Sequence, residues 1–172
     1  MEWLPFDLHP EYPPEGIPRS ELLARYGPEL QDGVRRMVEE CGYVYAPPPD
    51  RVPNSRKALE VTELARDRGL HEAVHTRLMD AYWAEGADIG DEPTLVDLVA
   101  QAGLDPEDAR SSLAEGRYRE RVQTSTREAN MHGINAIPAF VLDRRLLVLG
   151  AQPHELFERA FAQLEQTEDD AG

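Results

Sequence analysis

Residues 131–152, MHGINAIPAFVLDRRLLVLGAQ, predict a helix end, two short strands and the start of a final helix. The bond Ile137–Pro138 leads into two apolar runs, Ala139–Leu142 and Leu146–Leu149, with a polar turn between them. A glycine ends the second run, and Pro153 can open a helix. This strand–turn–strand–helix unit is typical of half of an α/β domain and does not by itself indicate a function.

The composition of the chain restricts its class. It has 172 residues, of which 41% are hydrophobic, enough for one domain with a core. No apolar run approaches the ~20 residues that cross a bilayer. The net charge of −15 disfavours nucleic acid and anionic membrane surfaces as partners. The first residues carry acid and proline early, which is not the pattern of a secretory signal.

A block of helices is predicted between residues 54 and 131. Each helix begins at a capping residue, carries apolar residues at helical spacing and ends at a glycine or at the next break. No strand is expected inside residues 55–85. The predicted helices cover residues 54–68, 71–85, 91–102, 105–115 and 118–131.

The residues ahead of this block predict one strand and two helices. Residues 2–8 alternate loosely between apolar and polar, as a strand does, and residues 9–18 form a loop because they hold four prolines and a glycine. A short helix over residues 20–26 precedes a second one that starts at Gly27-Pro28 and ends at Gly42. The second helix places five residues on one side: Leu30, Val34, Met37, Val38 and Cys41.

Four separated motifs resemble the DsbA family, and more specifically its FrnE-like branch of thiol–disulfide oxidoreductases. They are FDLHP at 6–10, AYWAEGADIGD at 81–91, GINAIPAF at 133–140 and GAQ at 150–152. They occur in order over nearly the whole chain. The resemblance implies a thioredoxin fold in which a helical domain is inserted between the second strand and a cis-proline, here Pro138.

The resemblance also implies a domain organisation. The fold class is α/β, thioredoxin-like and amino-terminally incomplete, with an inserted all-helical domain. Residues 1–53 would form the first thioredoxin-like part, 54–131 the insertion, 132–166 the second thioredoxin-like part and 167–172 a frayed acidic tail. Family members begin with a strand, a Cys-x-x-Cys motif and its helix, whereas Met1 falls inside what would be the second strand. The family's redox chemistry is therefore assigned to no residue of this chain.

The activity implied by the resemblance is thiol–disulfide exchange with protein thiols or small thiols such as glutathione. The single cysteine suits a reducing compartment, and the expected location is the cytoplasm. No redox turnover is expected, and no catalytic residue, metal ligand or cofactor is assigned. Ile137 and Pro138 are the expected substrate-binding residues. A cis bond would turn the Ile137 backbone outward, where an extended peptide or glutathione could pair with it. The alternative is an ordinary trans proline at the start of a strand.

The single cysteine, Cys41, cannot perform the family chemistry alone. That chemistry needs a thiolate at a helix amino end and a second cysteine that resolves the mixed disulfide. Cys41 lies at the carboxyl end of its predicted helix and has no second cysteine in the chain. It is predicted to be a buried packing residue, since unpaired cysteine is among the most buried residue types.

Residues 71–75 match the zinc motif H-E-x-x-H. His71 and His75 would lie on one helical face, with Glu72 as a general base. The motif is short, and no further histidine follows at the longer spacing of related proteases. The sequence favours a solvated helix face over a zinc site.

Four other residues have candidate roles and simpler alternatives. His132 would lie near the missing cysteine site, but a histidine in the last turn of a helix is favoured. His9 is a loop residue without an evident partner. Tyr82 and Trp83 are both expected to be core or partly buried; the core is favoured for Tyr82, and a place in a substrate groove is the other possibility for Trp83.

Three rival functions stay open from the sequence. The chain could be a non-catalytic peptide-binding module, a glutathione-linked isomerase relative or, least favoured, an H-E-x-x-H zinc protease. Self-association is also expected, because a sheet that lacks its central strand exposes unpaired edges.

Overall fold

The computed structural model describes residues 1–169, and helices make up most of its regular structure. Two short antiparallel pairs complete it, β1 Ile17–Pro18 with β2 Arg51–Val52 and β3 Ala139–Leu142 with β4 Leu146–Leu149. The helices in the described residues are α1 Arg19–Tyr26, α2 Glu29–Glu40, α3 Arg56–Asp67, α4 His71–Ala84, α5 Glu92–Gln101, α6 Pro106–Glu115, α7 Arg119–Met131 and α8 His154–Asp169.

The chain forms two compact units, Met1–Thr126 and Arg127–Gly172. The first unit contains the helical block together with the residues that precede it. The second contains the end of α7, the β3–β4 hairpin and α8. The residue ranges 1–53, 54–131 and 132–166 stay a prediction as domain boundaries.

Helix α3 lies at the centre of the first unit. The side chains of Val61, Leu64 and Ala65 are fully buried because their spacing of three and four residues places them on one face. This face packs against α4, α5 and α6. It contributes to a single apolar cluster that also contains Val74, Leu78, Ala81, Leu95, Val96, Val99, Leu104, Ala109 and Leu113.

The five helices predicted between residues 54 and 131 are confirmed as α3 to α7, within one or two residues at each end. Their caps explain the boundaries. Asp91 accepts a hydrogen bond from the backbone N–H of Thr94 at 3.1 Å, and Asp105 accepts one from that of Glu107 at 2.8 Å. Each cap is followed by an early proline that suits the first turn.

A neighbouring face of α3 carries buried charge. Glu60 and Glu63 are each only 3% exposed. Glu63 pairs with Arg66 at 3.1 Å and with Arg121 of α7 at 3.4 Å, whereas the only ion pair of Glu60 in the described residues is with Arg119, at 3.7 Å. Burial raises the pKa of the Glu60 carboxyl, and the guanidinium of Arg119 opposes that rise.

The strand predicted over residues 2–8 is wrong, since this segment has no β-ladder partner among residues 1–169. Helix side chains bind its main chain instead. Ser125 donates to the carbonyl of Pro5 at 2.7 Å, and the N–H of Asp7 donates to the hydroxyl of Thr126 at 2.9 Å. The amino-terminal segment, residues 1–8, is therefore fixed by α3 and α7 without belonging to a sheet.

The β1–β2 pair was not predicted, because two-residue strands carry no periodicity. Its position depends on Gly16, whose φ of +72° suits glycine. A Cβ atom at this position would lie 2.1 Å from the carbonyl oxygen of Val52. Arg51 binds the loop from the other side, donating to the carbonyls of Glu15 and Gly16.

The hairpin and final helix of the second unit agree with the prediction. The strands have the predicted bounds, and α8 begins directly after Pro153. The predicted acidic tail, 167–172, is part of α8 through Asp169, and its last three residues lie outside the described residues.

Truncating α3 in the core tests this arrangement. Leu64→Ala should lower the free energy of unfolding by about 2–5 kcal/mol, because a fully buried leucine leaves a cavity. Urea unfolding followed by circular dichroism measures this loss. Leu4→Ala is the matched control at a side chain that is 69% exposed, and it should cost less than about 0.5 kcal/mol. Equal losses for the two variants would show that α3 is not the core helix.

Candidate functional site

At the end of α7, the chain turns into the loop that leads to Pro138 in the second unit. The N–H of Gly133 donates to the carbonyl of Asn130, and that of Ile134 donates to the carbonyl of Ala129, both at 3.0 Å. These bonds form a Schellman cap, which requires the left-handed conformation that Gly133 adopts with φ +78°. The helix therefore stops here, as predicted, and releases residues 135–138 as a loop.

Ile137 and Pro138 form an exposed corner in front of β3. Their peptide bond is cis. The carbonyl of Pro138 accepts a hydrogen bond of 2.7 Å from the N–H of Gly150, so the corner is tied to the end of β4. Ile137 is 55% exposed, and its backbone N–H and C=O have no hydrogen-bond partner among residues 1–169.

The strand that follows has one unpaired edge. β3 pairs only with β4 within the described residues. Main-chain groups in an antiparallel pair point alternately toward the neighbour and away from it. Because Pro138 bonds to Gly150, the groups of Phe140 and Leu142 point toward β4, and those of Ala139 and Val141 point away. We call the outward groups of Ala139 and Val141, with the backbone of Ile137, the open edge.

The two faces of the hairpin differ in burial. On one face, Phe140 packs edge-on against Phe157 of α8, with ring centroids 5.0 Å apart. On the other face, Val141 and Leu147 lie opposite one another and are 56% and 42% exposed. The apolar runs did not reveal this exposure, because four consecutive apolar residues in each strand hide which face is covered.

Cys41 lies on the surface, so its predicted burial is wrong. It follows the last residue of α2, a helix without a buried side chain in the described structure. The apolar stripe of α2 meets only partial cover, and Met37 is 53% exposed. Helical spacing identified the stripe correctly but could not show whether another element covers it.

The geometry around His71 and His75 opposes a zinc site. The guanidinium Nη2 of Arg66 lies 3.0 Å from Nε2 of His71 and can only donate, so this imidazole nitrogen is the acceptor. A metal at that nitrogen would face a cation. The described residues also bring together no group of three histidine, cysteine or acidic side chains suited to a metal. Both histidines are partly buried rather than fully solvated.

The remaining candidates have local contacts of their own. His132 is exposed beyond the end of α7, and its backbone N–H donates to the carbonyls of Glu128 at 3.2 Å and Ala129 at 3.0 Å. His9 has partners, contrary to the expectation: it stacks on Tyr12 with centroids 4.4 Å apart and contacts Glu11. Tyr82 and Trp83 are both partly buried, as expected, and their rings meet edge-on with centroids 4.9 Å apart.

Comparison with known proteins decides the family. The model of the DSBA-like thioredoxin domain matches residues 1–162. The chain belongs to this family. The predicted membership and the predicted α/β class with a helical insertion are confirmed, and the chain has the helix-rich thioredoxin-like fold of DsbA proteins.

Three relatives or solved structures illustrate the match. YwbO of Bacillus subtilis (strain 168) is 26% identical over 164 residues, which cover 94% of this chain and 80% of YwbO. The crystal structure of the probable DsbA oxidoreductase SCO1869 from Streptomyces coelicolor has a TM-score of 0.81 and 32% identity, covering 92% of this chain and 72% of that one. The cytosolic disulfide reductase DsbM from Pseudomonas aeruginosa, solved with GSH, has a TM-score of 0.51 and 25% identity, covering 68% and 62%.

This DsbA-like chain lacks the Cys-x-x-Cys pair, because Cys41 is its single cysteine. The open edge is a surface of main-chain groups and apolar side chains. No helix in the described residues is long and apolar enough to cross a membrane.

The accessibility of the DsbA-like chain's thiol provides a direct test. Because Cys41 is exposed, Ellman's reagent should titrate one thiol per native chain, at a rate within about tenfold of the rate in urea. Cys41→Ser supplies the blank. If the thiol reacted only after unfolding, Cys41 would be buried in the native chain, as the sequence predicted, and its exposed position would be contradicted.

Proposed function

We propose that this chain is a thiol–disulfide oxidoreductase relative that binds extended thiol-containing peptides at the open edge and has no redox turnover of its own. Family membership supports the substrate class, and the exposed, unpaired backbone of Ile137 beside β3 carries the binding proposal. An extended peptide adds to such an edge through main-chain hydrogen bonds, while side-chain contacts supply selectivity.

The absence of turnover follows from chemistry. A single thiolate can attack a disulfide and form a mixed disulfide, but a second thiol must resolve it. Cys41 follows the carboxyl end of α2, where the helix dipole does not favour a thiolate. It has no second cysteine in the chain.

Small thiols are proposed as a second kind of ligand at the same edge. The neighbour DsbM was solved with GSH, and glutathione is itself a short extended peptide with a thiol. This observation also keeps a glutathione-linked isomerase relative as the second candidate function.

A cytoplasmic location and membership of the FrnE-like branch complete the proposal. The unpaired cysteine and the motifs at 6–10, 81–91 and 133–140 support them.

Binding at the open edge should depend on the outward N–H of Val141. Val141→Pro removes this donor without removing a β3–β4 hydrogen bond, since the group points away from β4. An S-alkylated, fluorescein-labelled cysteine peptide should bind this variant about 2–10-fold more weakly, the effect of one hydrogen bond. Fluorescence polarisation measures the affinity, and alkylation keeps disulfide formation out of the experiment.

Leu147→Pro is the matched control for this binding experiment. It removes the corresponding outward N–H from β4, on the other edge of the same hairpin. Its affinity should stay that of the wild type. Equal weakening by both substitutions, or by neither, would contradict binding at the open edge.

The proposed lack of turnover is tested separately. Insulin reduction by the purified chain, with dithiothreitol or glutathione as reductant, should match that of Cys41→Ser and of a no-protein blank. Activity above the blank that survives Cys41→Ser would require chemistry that this site does not contain.

A further inference from the structure

The amino-terminal segment is held in the first unit by Arg66 of α3. Its guanidinium donates to the carbonyl of Trp3, and it also contacts the Glu63 carboxylate at 3.1 Å and Nε2 of His71 at 3.0 Å. One side chain therefore joins the segment to α3 and to α4. The indole of Trp3 lies over His75, with ring centroids 5.1 Å apart.

The contact between Arg66 and His71 requires a neutral imidazole. A guanidinium has donors only, so Nε2 of His71 must present its lone pair. A protonated imidazole carries N–H at both nitrogens and has no lone pair to offer. Protonation would place two donors and two positive charges 3.0 Å apart.

The charged groups around His71 do not compensate for the repulsion between a protonated His71 and Arg66. From α3, Glu63 favours the protonated His71, but its carboxylate is already shared by Arg66 and Arg121. From α4, His75 stacks against His71 at 5.8 Å, and Glu72 is solvent-exposed in the same cleft. Met1 also lines that cleft.

We propose that His71 is a proton-operated latch for the amino-terminal segment. As the neutral base it holds Arg66 in place to bind the carbonyl of Trp3. When it takes up a proton from solvent, Arg66 moves away, the Trp3 carbonyl loses its partner and residues 1–4 detach. The segment stays attached beyond this point through the Pro5 carbonyl and the Asp7 N–H, which Ser125 and Thr126 hold.

The direction of the pH effect follows from linkage. Burial, then the charges of Arg66 and His75, lower the pKa of His71 in the closed form below its usual 6.5. The detached form, with an ordinary pKa, binds the proton more readily. The closed form is therefore favoured above about pH 6.5 and loses up to tenfold in relative population per pH unit below it, for one proton.

His75 contacts the Trp3 ring. Burial lowers the pKa of its imidazole as well, which by the same linkage favours the detached form at low pH. A cation–π contact between a protonated imidazole and the Trp3 indole would oppose that effect. Substitutions at the two histidines therefore separate the Arg66 contact from the ring contact.

The test follows the accessibility of Trp3 between pH 8 and pH 5. Trp83→Phe leaves Trp3 as the only tryptophan. In this background, acrylamide quenching should rise about twofold as the pH falls below 6.5, because Trp3 goes from 46% exposed to nearly full exposure. Far-UV circular dichroism should stay unchanged over this range.

Three variants identify the group that titrates. His71→Gln keeps an oxygen acceptor for Arg66 without a titratable proton, and it should abolish the transition with Trp3 held in place. His75→Gln should keep the transition, with more quenching at every pH. The control His132→Gln alters an exposed histidine beyond α7 and should behave as the wild type.

Four outcomes would overturn the latch. They are a transition that survives His71→Gln, a transition abolished by His75→Gln or His132→Gln, constant quenching from pH 8 to pH 5, and quenching that rises only together with loss of helical signal.

Discussion

The burial of α3 on both of its faces is the constraint on which the first unit depends. Its apolar face is covered by α4, α5 and α6, and Val61, Leu64 and Ala65 are fully excluded from solvent. A neighbouring face carries buried acids that require cations, because an unpaired buried charge is costly. Arg66 and Arg121 meet this requirement for Glu63. The same guanidinium of Arg66 binds Trp3, so the amino-terminal segment depends on charge pairing within the core.

The two units carry different parts of the proposed function. The second unit offers a strand edge, in which binding comes from backbone groups whose direction is set by the Pro138–Gly150 hydrogen bond. The first unit contains His71, which contacts Arg66. We propose that protonation of His71 releases the amino-terminal segment from Arg66. Neither feature uses a redox cysteine. We therefore propose a DsbA-like chain that binds peptides at the open edge and releases residues 1–4 at low pH.

Much of this fold could be predicted because its signals are local. Capping residues such as Asp91 and Asp105 predicted where helices of the block begin, and turn residues predicted the bounds of the hairpin strands. The errors arose where contacts between residues far apart in the sequence determine conformation or exposure. The apolar–polar alternation of residues 2–8 suits a strand, yet it cannot show that Ser125 and Thr126 replace a neighbouring strand. The stripe on α2 likewise cannot show that Cys41 stays uncovered, and no local pattern joins Arg66 to Trp3 across 63 residues.

Native-state hydrogen exchange tests the central role of α3 most directly. If α3 is the core of the first unit, the amides of Val61, Leu64 and Ala65 should exchange only through global unfolding, with free energies equal to that from urea denaturation. The amides of α2, which has no buried side chain in the described residues, should exchange through local opening at much lower free energy. Exchange of α3 at the low free energy of α2, or protection of α2 equal to that of α3, would contradict the account.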